Sequence, residues 1–182
     1  MSWPPTLPSF FTADTHFGHG GALGLFRRPF ASVAAMDEAL VEAWNSVVGP
    51  GDTVWHLGDF AVRVRPEPAS ALLDRLHGTK HLVAGNNDGP AIRSLRAWAS
   101  VQDYAELELA GRRFILCHYP LRAWNGAGRG AIDLHGHSHG RLAPWPRQVD
   151  VGVDAWDYRP VTLEEILARV GRRRVSKLAG PA

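Results

Sequence analysis

The sequence predicts an α/β fold of two stacked β-sheets with helices outside. Three observations lead there. Apolar runs ending in Gly, Asp or His recur between amphipathic stretches, the pattern of strands whose C-terminal ends feed functional loops. The first half alternates strand and helix, whereas the second half carries hairpin signals. A chain of 182 residues, 45% hydrophobic and 21% charged, can bury a sizeable core within a single domain.

Each element has its own warrant. Ser9–Ala13 reads as a buried strand that delivers Asp14, and a Gly-rich loop with Arg27 and Arg28 follows from Gly18 to Phe30. Met36, Leu40, Val41, Trp44 and Val48 recur at helical spacing, which predicts a helix over 33–47 stopped by Gly49-Pro50-Gly51. Thr53–Leu57 is the next strand and delivers Gly58-Asp59. Residues 69–76 form a short helix ended by Gly78, and Lys80–Ala84 is a strand delivering Gly85-Asn86-Asn87-Asp88. Val101–Leu109 alternates, Gly111 turns the chain, and Arg112–Cys117 returns to deliver His118, which reads as a hairpin. Ala131–Leu134 delivers His135-Gly136-His137-Ser138-His139. Gln148–Val153 is a late strand. A closing helix spans 162–170, with Thr162 as N-cap and Glu165 three residues on. The domain is expected to cover 1–171, with 172–182 as a loose basic tail.

Composition excludes several classes. The single cysteine, Cys117, rules out an internal disulfide framework and any CxxC zinc site. No apolar run approaches the roughly 18 residues that would span a bilayer. Met1-Ser2-Trp3-Pro4-Pro5 lacks the basic and apolar regions of a signal peptide, so a cytoplasmic location is expected. The formal charge is +2 and the pI near 9.0. Only Lys80 and Lys177 are lysine, leaving 18 of 20 basic residues as arginine, which suits bidentate contact with phosphate or carboxylate oxygens.

The chemistry-bearing residues sit at the strand ends: Asp14 and His16, Asp59, Asn86, His118, then His137 and His139. Singly, each has an ordinary structural reading as a turn or core residue. In pairs they say more. In an extended segment residues i and i+2 share a side, so Asp14/His16 and His137/His139 can each aim two ligands at one place. Gly58, Gly85 and Gly136 precede ligand candidates, where close backbone approach helps. Seven such positions exceed the needs of one tetrahedral zinc and suit two ions sharing a carboxylate.

In order, the blocks Asp14-Thr15-His16, Gly58-Asp59, Gly85-Asn86-Asn87-Asp88, His118 and Gly136-His137-Ser138-His139 resemble those of the calcineurin-like metallophosphoesterases. The wider context, with Gly18-His19, Cys117-His118-Tyr119-Pro120 and Leu134-His135, resembles short bacterial and phage members without a cap domain. The resemblance implies a four-layer αββα sandwich of two mixed sheets, with the metal site at strand C-terminal ends. It also implies that Asp14, His16 and His139 hold one divalent ion, Asn86, His118 and His137 a second, and that Asp59 bridges them. Such mixed donors suit Mn, with Fe, Zn or Ni as alternatives. Two divalent ions about 3.5–4 Å apart polarise a phosphoryl oxygen and activate a bridging water for in-line attack. An anionic phosphate ester is the expected guest.

Many family members carry a histidine where this chain has Asn87, and asparagine cannot act as a general acid. By the resemblance this leans the chain toward phosphodiesters. His19 is a second candidate proton donor, and Arg122 is preferred over Arg27, Arg28 and Arg129 as a clamp on phosphate oxygens. Asp88 is expected to orient loop groups, and His56, His77, His81 and His135 to be structural. Three rival functions stay open: a phosphomonoesterase on a small metabolite or phosphoprotein, a nuclease using the Arg172-Arg173-Arg174 run, and a metal-free interaction scaffold. Neither the physiological substrate nor the oligomeric state is legible.

Overall fold

The structure, a computed structural model, describes residues 9–178. The N-terminal reading (1–5), residues 179–182 of the expected tail, and the side chains of the Arg172–Arg174 run lie outside the described residues. The elements are β1 (Ser9–Thr12), α1 (Ala22–Leu25), α2 (Val33–Val47), β2 (Thr53–His56), α3 (Pro66–Arg75), β3 (Thr79–Val83), α4 (Pro90–Arg93), β4 (Trp98–Gln102), β5 (Ala105–Leu109), β6 (Arg112–Leu116), β7 (Ile132–His135), β8 (Gln148–Asp150), β9 (Val161–Thr162) and α5 (Leu163–Leu178). Sheet one has the order β4-β3-β2-β1-β9, parallel except for β9, and sheet two the order β5-β6-β7-β8, parallel except for β5. Both sheets are therefore mixed, as the sequence implied. Among the described residues no helix is long and apolar enough to cross a membrane.

The alternation of side chains along each strand divides the core in two. Phe10, Val54 and Leu82 face the helices, where they meet Met36, Leu40 and Trp44 of α2 and Leu73 of α3. Their neighbours Phe11, Trp55 and Val83 face sheet two and pack on Phe114, Leu116, Leu134 and Val149. Ile166 and Val170 of α5 close that inter-sheet layer. Trp44 is 1% exposed and its indole N–H donates to the His77 carbonyl; burying a large apolar side chain contributes about 2–3 kcal/mol.

Several boundaries differ from the sequence reading. Val101–Leu109 is not one strand: Asp103-Tyr104 breaks it, so that β4 belongs to sheet one and only β5 pairs with β6. Period-two alternation continues through both pieces and cannot report a change of sheet; Arg93 pins the crossing by donating to Asp103 at 2.8 Å. Helix α3 starts at Pro66, where a proline at the first turn costs no hydrogen bond, ahead of the apolar residue that marked it in the sequence. The Gly18–Phe30 loop contains the single turn α1, and α5 continues past Val170 to Leu178.

The predicted cap at Thr162 forms, while Thr162 also pairs in β9. Its hydroxyl accepts the Glu165 N–H at 3.2 Å, and Glu165 accepts the Thr162 N–H at 2.9 Å, a reciprocal box. Arg159 donates to Glu165 at 2.6 Å and, as the largest influence, lowers the carboxyl to about 2. A depressed carboxyl stabilises the fold above its unfolded value near 4.5 and loses that contribution as pH falls toward about 2. Glu165→Ala should cost about 1 kcal/mol at pH 7. Thermal melts should show the gap to wild type narrowing between pH 5 and pH 3; a gap of constant size would contradict the assignment.

Candidate metal centre

The strands of sheet one that carry candidate ligands, β1, β2 and β3, are adjacent and parallel, so their C-terminal loops leave the same edge. In sheet two β6 and β7 do likewise. Backbone bonds lock the loops together: Asp14 N–H donates to Gly58 O at 2.9 Å, His16 N–H to Asp59 O at 3.0 Å, and Gly136 N–H to His118 O at 3.0 Å. Bonds also join the sheets at this edge. The His137 N–H donates to Asp14 Oδ1 at 3.1 Å, and His118 Nδ1 lies 2.8 Å from the Leu57 carbonyl.

The side chains form two overlapping groups, Asp14 with His16 and His139, and Asp14 with Asp59 and His118, each with donor atoms within 4.8 Å of one another. The Asp59 carboxylate lies between the two: Oδ2 is 3.4 Å from His16 Nε2 and Oδ1 is 3.6 Å from His118 Nε2. Asn86 Oδ1 sits 3.1 Å from that same His118 nitrogen, and the His137 ring packs 5.1 Å from the His118 ring. All seven predicted ligands therefore meet at one edge.

Protonation fits cation binding. A carbonyl or carboxylate can only accept, so His118 Nδ1 is the protonated nitrogen facing Leu57 O, and His139 Nδ1 the one facing Asp154 Oδ2 at 2.7 Å. Both imidazoles thus turn Nε2 toward the cluster. Burial, then the neighbouring His139, lowers His16 to about 2, so it is a neutral imidazole and its approach to Asp59 is not an ion pair. Burial, then Asp150, raises the Asp14 carboxyl well above its ordinary value. Asp14 Oδ2 and His16 Nε2 are buried without a hydrogen-bond partner. Each such orphan costs about 1–3 kcal/mol, and a cation at the cluster would satisfy both.

The backbone is shaped for this convergence. Asp14, His16, Asp59, His137 and His139 all have left-handed φ, from 48° to 64°. The two i, i+2 pairs therefore converge through strained turns, not through the extended segment that the sequence reading assumed. Non-glycine residues enter this region at a cost and cluster where function requires it. Gly58 and Gly85 allow the closest approach. A Cβ on Gly85 would lie 2.4 Å from Asp59 Oδ1, and one on Gly58 would lie 2.4 Å from the Gly85 nitrogen and 2.7 Å from His118 Nδ1.

Supporting groups surround the ligands. Asp88 accepts the N–H groups of Asp59, Gly85 and Phe60 at 2.7, 2.8 and 2.9 Å, the loop-orienting role expected of it. Arg28 is not a phosphate clamp: it is 3% exposed and fully engaged. It donates to the carbonyls of Asp14 at 2.6 Å and Thr15 at 2.8 Å and grips Asp154 with two bonds. Asp154 and Asp150 escaped the sequence reading, although the alternating acids of Asp150-Val151-Gly152-Val153-Asp154 were a signal. Asp150 accepts from Ser138 Oγ at 2.5 Å and the Gly140 N–H at 2.8 Å, fixing the loop that carries His139.

The remaining candidates divide. Asn87 is in the site: its side-chain amide donates to Asp59 Oδ2 at 2.6 Å and its backbone N–H to Oδ1 at 2.8 Å. His19 is half-buried, with Nδ1 3.1 Å from His16 Nδ1. Burial, then Arg63, lowers its pKa. Arg122 is exposed and bonds to none of the seven ligands among the described residues. Arg129 lies beyond the opposite ends of β6 and β7, beside Arg112 and Arg113. His56 bonds Thr15 Oγ1, and His77 and His135 bond backbone carbonyls. Two aromatic residues were missed. Phe26 stacks on the His139 ring at 3.5 Å, and Tyr119 packs against His137 and His118 at 4.8 and 5.0 Å.

Comparison with known proteins supports the resemblance. Residues 10–150 match the model of the calcineurin-like phosphoesterase superfamily domain. An uncharacterized protein of Methanocaldococcus jannaschii is 28% identical over 174 positions, covering 91% of this chain and 93% of the relative. The Gene 66 protein of Mycobacterium phage L5 is 31% identical, covering 87% and 91%. A crystal structure of a protein of unknown function from Aquifex aeolicus shares the fold, with a TM-score of 0.71 at 24% identity, covering 89% of this chain and 98% of that one. With its ligand blocks meeting at one edge of a two-sheet sandwich, the chain belongs to the calcineurin-like phosphoesterase superfamily.

Proposed function

We propose that this chain is a phosphodiesterase with a centre for two divalent ions. Asp14, His16 and His139 would hold the first ion, Asn86, His118 and His137 the second, and Asp59 both. The carrying observation is the Asp59 carboxylate set between His16 Nε2 and His118 Nε2, beside the partnerless Asp14 Oδ2 and His16 Nε2. Divalent ions in such a centre supply Lewis acidity and lower the pKa of water. The mixture of carboxylate, amide and imidazole donors favours Mn, with Fe, Zn or Ni as alternatives.

The chain's own residues set the substrate charge and the leaving group. Among the seven ligands only Asp14 and Asp59 are carboxylates, so a centre with two divalent ions is positive and selects an anionic ester. Asn87 spends its amide on Asp59 and offers no proton to a leaving oxygen. It also offers no cation to the second charge of a monoester. The missing proton penalises poor leaving groups in diesters and monoesters alike, whereas the missing cation favours a diester, which carries one charge. The free thiol of Cys117 fits a reducing, cytoplasmic setting.

Purified protein with Mn²⁺ is expected to hydrolyse bis-p-nitrophenyl phosphate with higher kcat/KM than p-nitrophenyl phosphate, and chelation should remove the activity. The opposite ranking would favour a monoesterase on a small metabolite or phosphoprotein. Absence of bound metal and of activity would favour a scaffold. Asn87→His should raise monoesterase activity, and an unchanged ratio between the two substrates would remove Asn87 from the argument. Asp154→Asn loosens the partner of His139 Nδ1 and should weaken binding of the first ion, the one His139 would hold, about tenfold. Titration of metal-stripped protein measures this directly, and equal affinity in the two proteins would show that Asp154 only packs.

A further inference from the structure

The two aromatic side chains at the centre differ in what they leave open. Phe26 has one face covered, stacked at 15° on His139, and the Arg28 and Arg141 guanidinium groups lie 5.4 and 5.6 Å from its centroid. Tyr119 stands on the other half of the centre. It meets the His118 and His137 rings in T-shaped contacts at 73° and 65°, and remains 45% exposed. Its hydroxyl has no hydrogen-bond partner among the described residues. The ring thus presents exposed aromatic surface directly beside two candidate ligand histidines.

The perch of Tyr119 is rigid. Pro120 follows it and restricts the backbone of residue 119. Leu121 is then held at both polar atoms: its N–H donates to Asp133 Oδ2 at 3.3 Å, and its carbonyl accepts Gln148 Nε2 at 2.8 Å. Gln148 also donates to that Asp133 oxygen at 2.7 Å. Asp133 is fully buried in β7, so the loop is tied to the sheet one element away from the ligand histidines. Anchoring the backbone that carries the ring lowers the ordering cost when a planar partner stacks on it.

We propose that Tyr119 is a specificity-determining residue, its ring a stacking surface for a planar aromatic substituent of the ester. The inference rests on the phosphodiesterase reading. Phe26 packs on the His139 side of the centre and Tyr119 on the His118 and His137 side, so a diester centred between them would have an aromatic ring near either substituent. An aryl ester and a nucleobase-bearing ester share the planar π-face that this surface would recognise.

The test uses the Mn²⁺-loaded full chain with bis-p-nitrophenyl phosphate as reporter substrate. Diphenyl phosphate and dimethyl phosphate are compared as competing ligands in wild type, Tyr119→Ala and Tyr119→Phe. Tyr119→Ala should raise KM for the reporter and Ki for diphenyl phosphate about tenfold, with kcat within twofold, metal content unchanged and Ki for dimethyl phosphate unmoved. Tyr119→Phe should restore both constants, because the hydroxyl is not needed. A dinucleoside monophosphate assigns the source: tighter competition than diphenyl phosphate, lost in Tyr119→Ala, identifies a nucleobase, and weaker competition a simple aryl group. Equal changes for diphenyl and dimethyl phosphate, or none, would overturn the inference alone. No reporter hydrolysis in wild type would overturn the phosphodiesterase reading and this inference with it.

Discussion

The interaction on which the rest of the centre depends is the burial of the Asp14 carboxylate. It is fully inaccessible, accepts one N–H from His137, and leaves Oδ2 without a partner. Burial and the nearby acids Asp150, Asp59 and Asp154 all oppose its charge. Water cannot relieve it, and the buried cation close by, Arg28, spends its donors on the Asp14 and Thr15 carbonyls and on Asp154. Folding therefore prepares a deficit that a cation would fill. The glycine contacts and left-handed turns follow, because donors from two sheets must approach within a few ångströms with no side chain between them.

The two halves of the centre are built differently. Around Asp14, His16 and His139 the supports are buried and charged: Arg28 joins two backbone carbonyls to Asp154, and Asp154 fixes His139. Around Asn86, His118 and His137 only His118 is buried, and Asn86 and His137 are exposed. In the proposed centre the rigid half would define where charge collects, and the open half would admit the ester. Asp59 belongs to both, and Asn87 and Asp88 hold it from the β3 loop, Asn87 through the carboxylate and Asp88 through the backbone.

Much of this was legible in the sequence, for a physical reason. Strand ends are marked by apolar runs that stop abruptly, and ligand types at those ends are few, so Asp14, Asp59, His118 and His137 announced themselves together. Support by burial is harder to read. Arg28 looks like any loop arginine until α1 and the β1 loop enclose it, and Asp154 lies 15 residues after His139, across β8. Positive φ at an aspartate or histidine has no sequence signature. Nor does a change of sheet at Asp103, since the same alternation serves a strand in either sheet.

Substrate choice in the proposed centre would fall to the loops, because the strands are already committed to the candidate ligands and the core. The loop after β1 supplies Phe26 and His19, and the loop after β6 supplies Tyr119 and Arg122. These loops are not equally free. The first is tied by Arg28 at its far end, and the second by the Asp133–Gln148 pair at Leu121, leaving Arg122 beyond the anchor and exposed. Tyr119 lies between β6 and that anchor, whereas Arg122 lies past it. Tyr119, one proline before the anchor and in contact with the candidate ligands His118 and His137, would on the proposed reading discriminate between substituents better than the arginine that sequence spacing favoured.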